Sequence, residues 1–161
     1  MKKLMFLYVL TIALAVNAQV GIGTKTVFQS SILNFNDNDY RGIILPATTT
    51  VTTPVKGTLT FDRTTKTVQY FDGIWKSLTK TGELPTTLNA NNDIKSGMII
   101  GKTTSSAPGV LVLESTTKAL VLPRMNEPHL NIPNPEAGTI CYDLTNKVLC
   151  IYNGKEWSFW Q

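Results

Sequence analysis

The stretch Gly138–Trp157, GTICYDLTNKVLCIYNGKEW, decides the fold, because Gly57–Trp75, GTLTFDRTTKTVQYFDGIW, is an earlier copy of it. A shift of 81 residues (138 − 57) superposes 57–73 on 138–154. Gly57/Gly138, Thr58/Thr139, Asp62/Asp143, Thr64/Thr145, Lys66/Lys147 and Gly73/Gly154 are then identical. Leu59/Ile140, Phe61/Tyr142, Val68/Leu149 and Asp72/Asn153 exchange like for like. Order of this kind marks an internal repeat, which has to be settled before any other element is assigned.

Each copy reads as a three-stranded antiparallel meander. Thr58–Asp62 and Thr67–Phe71 alternate in character around a four-residue loop, residues 63–66, which pairs Asp62 with Thr67, Phe61 with Val68 and Leu59 with Tyr70. Asp72-Gly73 suits a two-residue type I′ turn, setting Trp75 opposite Tyr70. One face then carries Leu59, Phe61, Val68, Tyr70 and Trp75. The second copy places Ile140, Tyr142, Leu149, Ile151, Trp157 and Phe159 together, provided that a three-residue loop with a glycine bulge forms around Asn153-Gly154. Such a sheet is stable only when its apolar face is covered. That face is expected to pack inside the chain or against another copy. Trp160 falls on the other parity and is the candidate for an exposed ligand contact.

The same register sets Cys141 directly opposite Cys150, on the face away from Tyr142 and Leu149. In an exported chain this pair is expected to form a disulfide. Thr60 and Gln69 hold the matching places in the first copy, so the bridge would be an accessory to the fold.

Upstream of each meander the repeat continues with drifting shifts. Residues 19–24 have their counterpart in 98–103, displaced by 78 at Ile22/Ile100, Ile32–Phe35 match Val110–Leu113 at 78, and Gly42–Pro46 match Ala119–Pro123 at 77. The change to 81 falls in the longer Met125–Pro135 loop, since insertions collect in loops. The polar, turn-rich 80–97 reads as a linker. The expected organisation is therefore a signal peptide (1–18), repeat unit 1 (19–79), a linker (80–97) and repeat unit 2 (98–161). The fold class is all-β, two tandem repeats of short strands, each ending in a meander.

Met1-Lys2-Lys3 is a basic n-region, Leu4–Val16 an apolar h-region and Val16-Asn17-Ala18 a cleavage site, so export with cleavage after Ala18 is expected. The apolar run is short of the roughly 20 residues of a membrane span, and none is expected in the mature chain. No cysteine follows it, so a lipid anchor is not expected. Loss of Lys2 and Lys3 lowers the net charge from +4 to +2 (4 − 2), which weakens any case for nucleic-acid binding. The mature 143 residues (161 − 18) suit one or two small domains.

Motifs that suggest chemistry dissolve into the repeat. Gly101-Lys102-Thr103 lacks the glycine five positions earlier that a phosphate loop requires, since Ser96 stands there, and Ile22-Gly23-Thr24-Lys25 is its repeat partner. Gly21-x-Gly23 has no βαβ unit behind it. His129 is the lone histidine, in a proline-rich loop, and reads as solvated. Asp62 and Asp143 open hairpin turns, where they cap local amides. No catalytic residue, cofactor or metal is expected.

The run Gly21-Ile22-Gly23-Thr24 resembles the opening of a repeat found in exported bacterial surface proteins and phage tail-fibre-like proteins. The second unit carries the rest of that pattern: Leu111–Lys118, Pro123-Arg124-Met125, Pro135–Tyr142 and Tyr152–Trp157. The first unit departs from it, with Pro46-Ala47-Thr48 in place of Pro-Arg-Met. The resemblance implies a structural protein in a homotrimer. In many such proteins a larger tip or chaperone-type domain follows the repeats; this sequence ends directly after the meander, so no receptor-binding tip is expected. Two readings of function follow. One is a non-catalytic structural or adhesive surface protein that self-assembles, meeting an extracellular glycan or surface protein outside the cell or in the periplasm. The other is a small carbohydrate-binding module using exposed aromatics such as Trp160.

Overall fold

The computed structural model describes residues 19–37, 39–86, 97–107 and 109–161. The expected signal peptide, 1–18, and the middle of the expected linker, 87–96, lie outside the described residues.

The described chain is almost entirely strand, in two series of seven. The first runs β1 (Val20–Ile22), β2 (Ser31–Phe35), β3 (Ile43–Ile44), β4 (Ala47–Thr48), β5 (Leu59–Asp62), β6 (Thr67–Phe71) and β7 (Trp75–Ser77). The second runs β8 (Met98–Ile100), β9 (Leu111–Leu113), β10 (Ala119–Leu120), β11 (Arg124–Met125), β12 (Thr139–Asp143), β13 (Val148–Tyr152) and β14 (Trp157–Trp160). Between β11 and β12 lies the short helix α1 (Pro128–Asn131), where a plain loop was expected. Proline suits its first turn because the N–H it lacks would have no partner there.

The registers repeat as the sequence does. Val20 pairs with Leu33 as Met98 pairs with Leu111, both 78 apart. Ala47 pairs with Phe61 as Arg124 pairs with Tyr142, at 77 and 81. Leu59 faces Tyr70 as Ile140 faces Ile151, again at 81. The Gly-Thr pair that opens each copy, preceded by Pro54 and by Pro135, has a local cause in both places. Thr58 and Thr139 donate their backbone N–H to the carbonyls of Val55 and Glu136, and their hydroxyls donate to the same oxygens at 2.7 and 2.6 Å. Gly57 and Gly138 close these turns at φ +90° and +91°, a region that costs an L side chain about 1 kcal/mol or more.

The two series interlock. β10 adds in parallel to β2, giving the sheet β1-β2-β10, and β3 adds antiparallel to β12. The core answers the question of cover: Phe61 and Val68 from one meander pack with Ile140 and Ile151 from the other, around Leu45 and Ala137. Each meander covers the other within one chain. Residues 80–86 are an ordered strap here, with Gly82 N–H donating to the Lys66 carbonyl and Glu83 N–H to the Asn153 carbonyl. A Cβ on Gly82 would lie 1.9 Å from the Asn153 carbonyl oxygen, so only glycine fits.

Candidate assembly surface

The faces of the two meanders differ from the expected ones in a consistent way. Trp75 pairs with Phe71, and Lys76 takes the place opposite Tyr70. The turn holds three residues, 72–74, closed by Asp72 N–H donating to the Ile74 carbonyl, and only Gly73 takes a positive φ. A type I′ turn would need positive φ at Asp72 as well. In the second copy the loop holds four residues, 153–156, with Asn153 Oδ1 accepting from Lys155 N and Glu156 N, so that Tyr152 pairs with Trp157.

One extra residue per turn moves every following side chain to the opposite face. Trp75 and Trp157 therefore leave the core face. Trp75 packs on Phe71 and Trp157 on Tyr152, both with ring centroids 5.2 Å apart. Phe61 and Ile151 are core residues as expected, Tyr70 and Tyr142 are half-buried, and Leu59 is exposed. Phe159 sits opposite Cys150, with its ring edge-on to the exposed His129 at 5.6 Å. Trp160 lies opposite Leu149 and keeps an exposed face, while its indole N–H donates to the Leu78 carbonyl at 2.9 Å. It helps to line a shallow open groove with Leu78, Lys80 and Glu156.

Cys141 and Cys150 are directly opposite each other, as the register required, but they are free thiols where a bridge was expected. Both are fully buried with Met125 and Val148, and the half-buried Trp157 packs on that cluster. The hydrogen bond between the two thiols, and then burial, push the Cys141 thiol well above its ordinary pKa. The same contact lowers the Cys150 thiol, against the opposing effect of burial.

Asp62 and Asp143 do cap their turns. Asp62 Oδ1 accepts from Thr64 N and Thr65 N. Asp143 Oδ1 accepts from Thr145 N, Asn146 N and Glu127 N, and its Oδ2 from Asn146 Nδ2. Gly101-Lys102-Thr103 bends after β8, and Lys102 pairs with Glu114. Among the described residues no group of three metal-ligating side chains converges, and no helix is long and apolar enough to cross a membrane.

The sequence reading missed the role of Arg124. Its guanidinium forms a two-pronged ion pair with Asp37, at 2.9 and 2.7 Å, and lies 4.6 Å from the Phe28 ring centroid. The middle residue of Pro-Arg-Met thus holds the second series of strands to the first. Only its place in the recurring motif could have signalled this.

What the molecule offers to solvent is strand edge and apolar side chain. The β9 edge away from β8 carries no strand among the described residues, and neither does the outer edge of β5 at Leu59 and the preceding Thr58. Ile22, Ile44, Leu59, Met98, Val110 and Leu111 are all exposed. Exposed edges lined with such residues are sites for strand addition. These features define the class: an all-β protein that interlocks two series of short strands and leaves edges open for further pairing.

Comparison with known families agrees with this class. Residues 99–161 match the family model of the phage tail like trimerisation region. The match supports a phage tail-fibre-like protein. The chain matches no curated protein and no solved structure.

Proposed function

We propose that this chain is a non-catalytic, fibre-like structural protein of the cell exterior that works as a homotrimer. The match of residues 99–161 to a trimerisation region carries the reading. The bare β9 edge and its apolar side chains support it, because closing a ring of copies would cover both. The basic n-region, apolar run and small-residue site at the N-terminus support export. Light scattering coupled to size-exclusion chromatography tests the assembly. A mass three times that of the protomer is expected; a monomer at every concentration overturns the reading.

The groove beside Trp160 favours a second role for the same protein, stacking a sugar ring on the exposed indole between Lys80 and Glu156. Binding on a glycan array that disappears in Trp160→Ala is its expected signature, and an array without binding overturns it.

A further inference from the structure

The contact between the two repeat units runs in one direction only. β2 of the first unit accepts β10 of the second, and β3 of the first pairs with β12 of the second. Among the described residues the reverse contacts do not occur: β9, the counterpart of β2, has no β3-like strand on its outer edge. Thr58–Leu59, the counterpart of Thr139–Ile140, lacks the strand that β3 supplies to β12. A heterologous contact of this kind leaves a donor at one end and an acceptor at the other, which another copy can meet.

Burial records the same asymmetry at positions related by the repeat. Leu33 is 2% exposed and its counterpart Leu111 (33 + 78) is 42% exposed. Ile100 is 9% exposed and Ile22 (100 − 78) is 50%. Ile140 is 5% exposed and Leu59 (140 − 81) is 38%. In each pair the buried member lies in the joint between units and the exposed member lies where the next joint would be. The Arg124–Asp37 pair of the internal joint maps onto Ala47 (124 − 77) and Ser115 (37 + 78), so these two positions bring no charge to a new contact.

We propose that copies of this chain join head to tail by the strand exchange that already joins its two units. Gly42–Ile44 of one copy adds in parallel to the β9 edge of another, and β10 of the accepting copy lies antiparallel on Thr58–Leu59 of the first. Within the chain, Val121 N–H donates to the Leu33 carbonyl at 2.9 Å and Leu45 N–H to the Gly138 carbonyl at 3.0 Å. Between copies, Ile44 N–H donates to the Leu111 carbonyl and Leu122 N–H to the Gly57 carbonyl. Ile22 of one copy packs where Val110 of the other is exposed, as Ile100 packs with Ile32 inside the chain. The proposal rests on the homo-oligomer reading above and names the surface that builds it; the rotation per joint sets the number of copies in a closed ring.

The test uses two variants of the purified protein, Leu111→Asp to block the accepting end and Leu59→Asp to block the donating end. Both positions are exposed in the single chain, so circular dichroism is expected to be unchanged. Each variant alone is expected to fall to a monomer by light scattering. An equimolar mixture is expected to give a dimer, because one intact joint remains and cannot propagate. Variants that keep the wild-type mass overturn the head-to-tail joint and leave the trimer standing. A mixture that stays monomeric overturns it too, whereas a wild-type monomer overturns both readings at once. Should an aspartate variant lose its folded spectrum, Leu111→Ala and Leu59→Ala carry the same test. Each is expected to raise the concentration at which the assembly dissociates by roughly tenfold or more, and no change overturns the joint.

Discussion

Asp143 is fully buried and accepts four hydrogen bonds, three of them from backbone amides. Burial opposes its charge, but the hydrogen bonds from Asn146, Glu127 and Thr145 outweigh it and hold the carboxyl below its ordinary pKa. A lowered folded pKa contributes stability that is present above the unfolded value of about 4 and is lost as pH falls toward the folded one. Asp143→Ala is therefore expected to cost about 2–3 kcal/mol in urea unfolding at pH 7. It is also expected to flatten the loss of stability below about pH 4. Asp62, capping with two amides in a more open turn, is expected to lose less when truncated. The cysteines give a second test at this scale. As buried free thiols they should resist a thiol reagent in the folded protein and both react after denaturation. Adding dithiothreitol should leave the melting temperature unchanged; a fall of several degrees would show that the pair is bridged in solution.

The elements show how a turn controls a face. Both first hairpins take the register that their alternation dictated, because the four-residue loops are held by an Asp and closed by Lys66 and Lys147 at φ +56° and +57°. The second turns were misjudged, since an Asx-Gly pair fits loops of two, three or four residues. Which one forms depends on hydrogen bonds made by Asp72 and Asn153 in place. Asn153 is also tied from outside, its Nδ2 donating to the Lys80 carbonyl of the strap. The strap makes a prediction of its own. Gly82→Ala drives a methyl into the Asn153 carbonyl and is expected to cost about 1–3 kcal/mol in chemical denaturation. Gly73→Ala, whose Cβ would meet open space, is expected to cost less, its penalty coming from backbone strain alone.

At the scale of the molecule, the shared core means that neither half is complete. Removing the second unit would expose Phe61, Val68 and Leu45 together, and removing the first would expose Ile140 and Ile151. Residues 19–86 and 97–161 expressed separately are each expected to lack a cooperative unfolding transition, measured by thermal circular dichroism, and to regain it when mixed. A half that melts cooperatively as a monomer would contradict the shared core. Residues 80–86 contact both meanders.

By itself the sequence determined the all-β class and the register of both first hairpins. It did so because these depend on alternation and on turn residues only a few positions apart. The tertiary structure decided what covers the aromatic strands, on which face each tryptophan lies, and that Arg124 reaches Asp37 across 87 residues. Those outcomes depend on where two separately formed sheets meet, and a repeat looks the same in sequence whether its units stand apart or interlock. The Gly138–Trp157 stretch specifies its own sheet; its neighbour in space, Gly57–Trp75, decides which of its side chains become core.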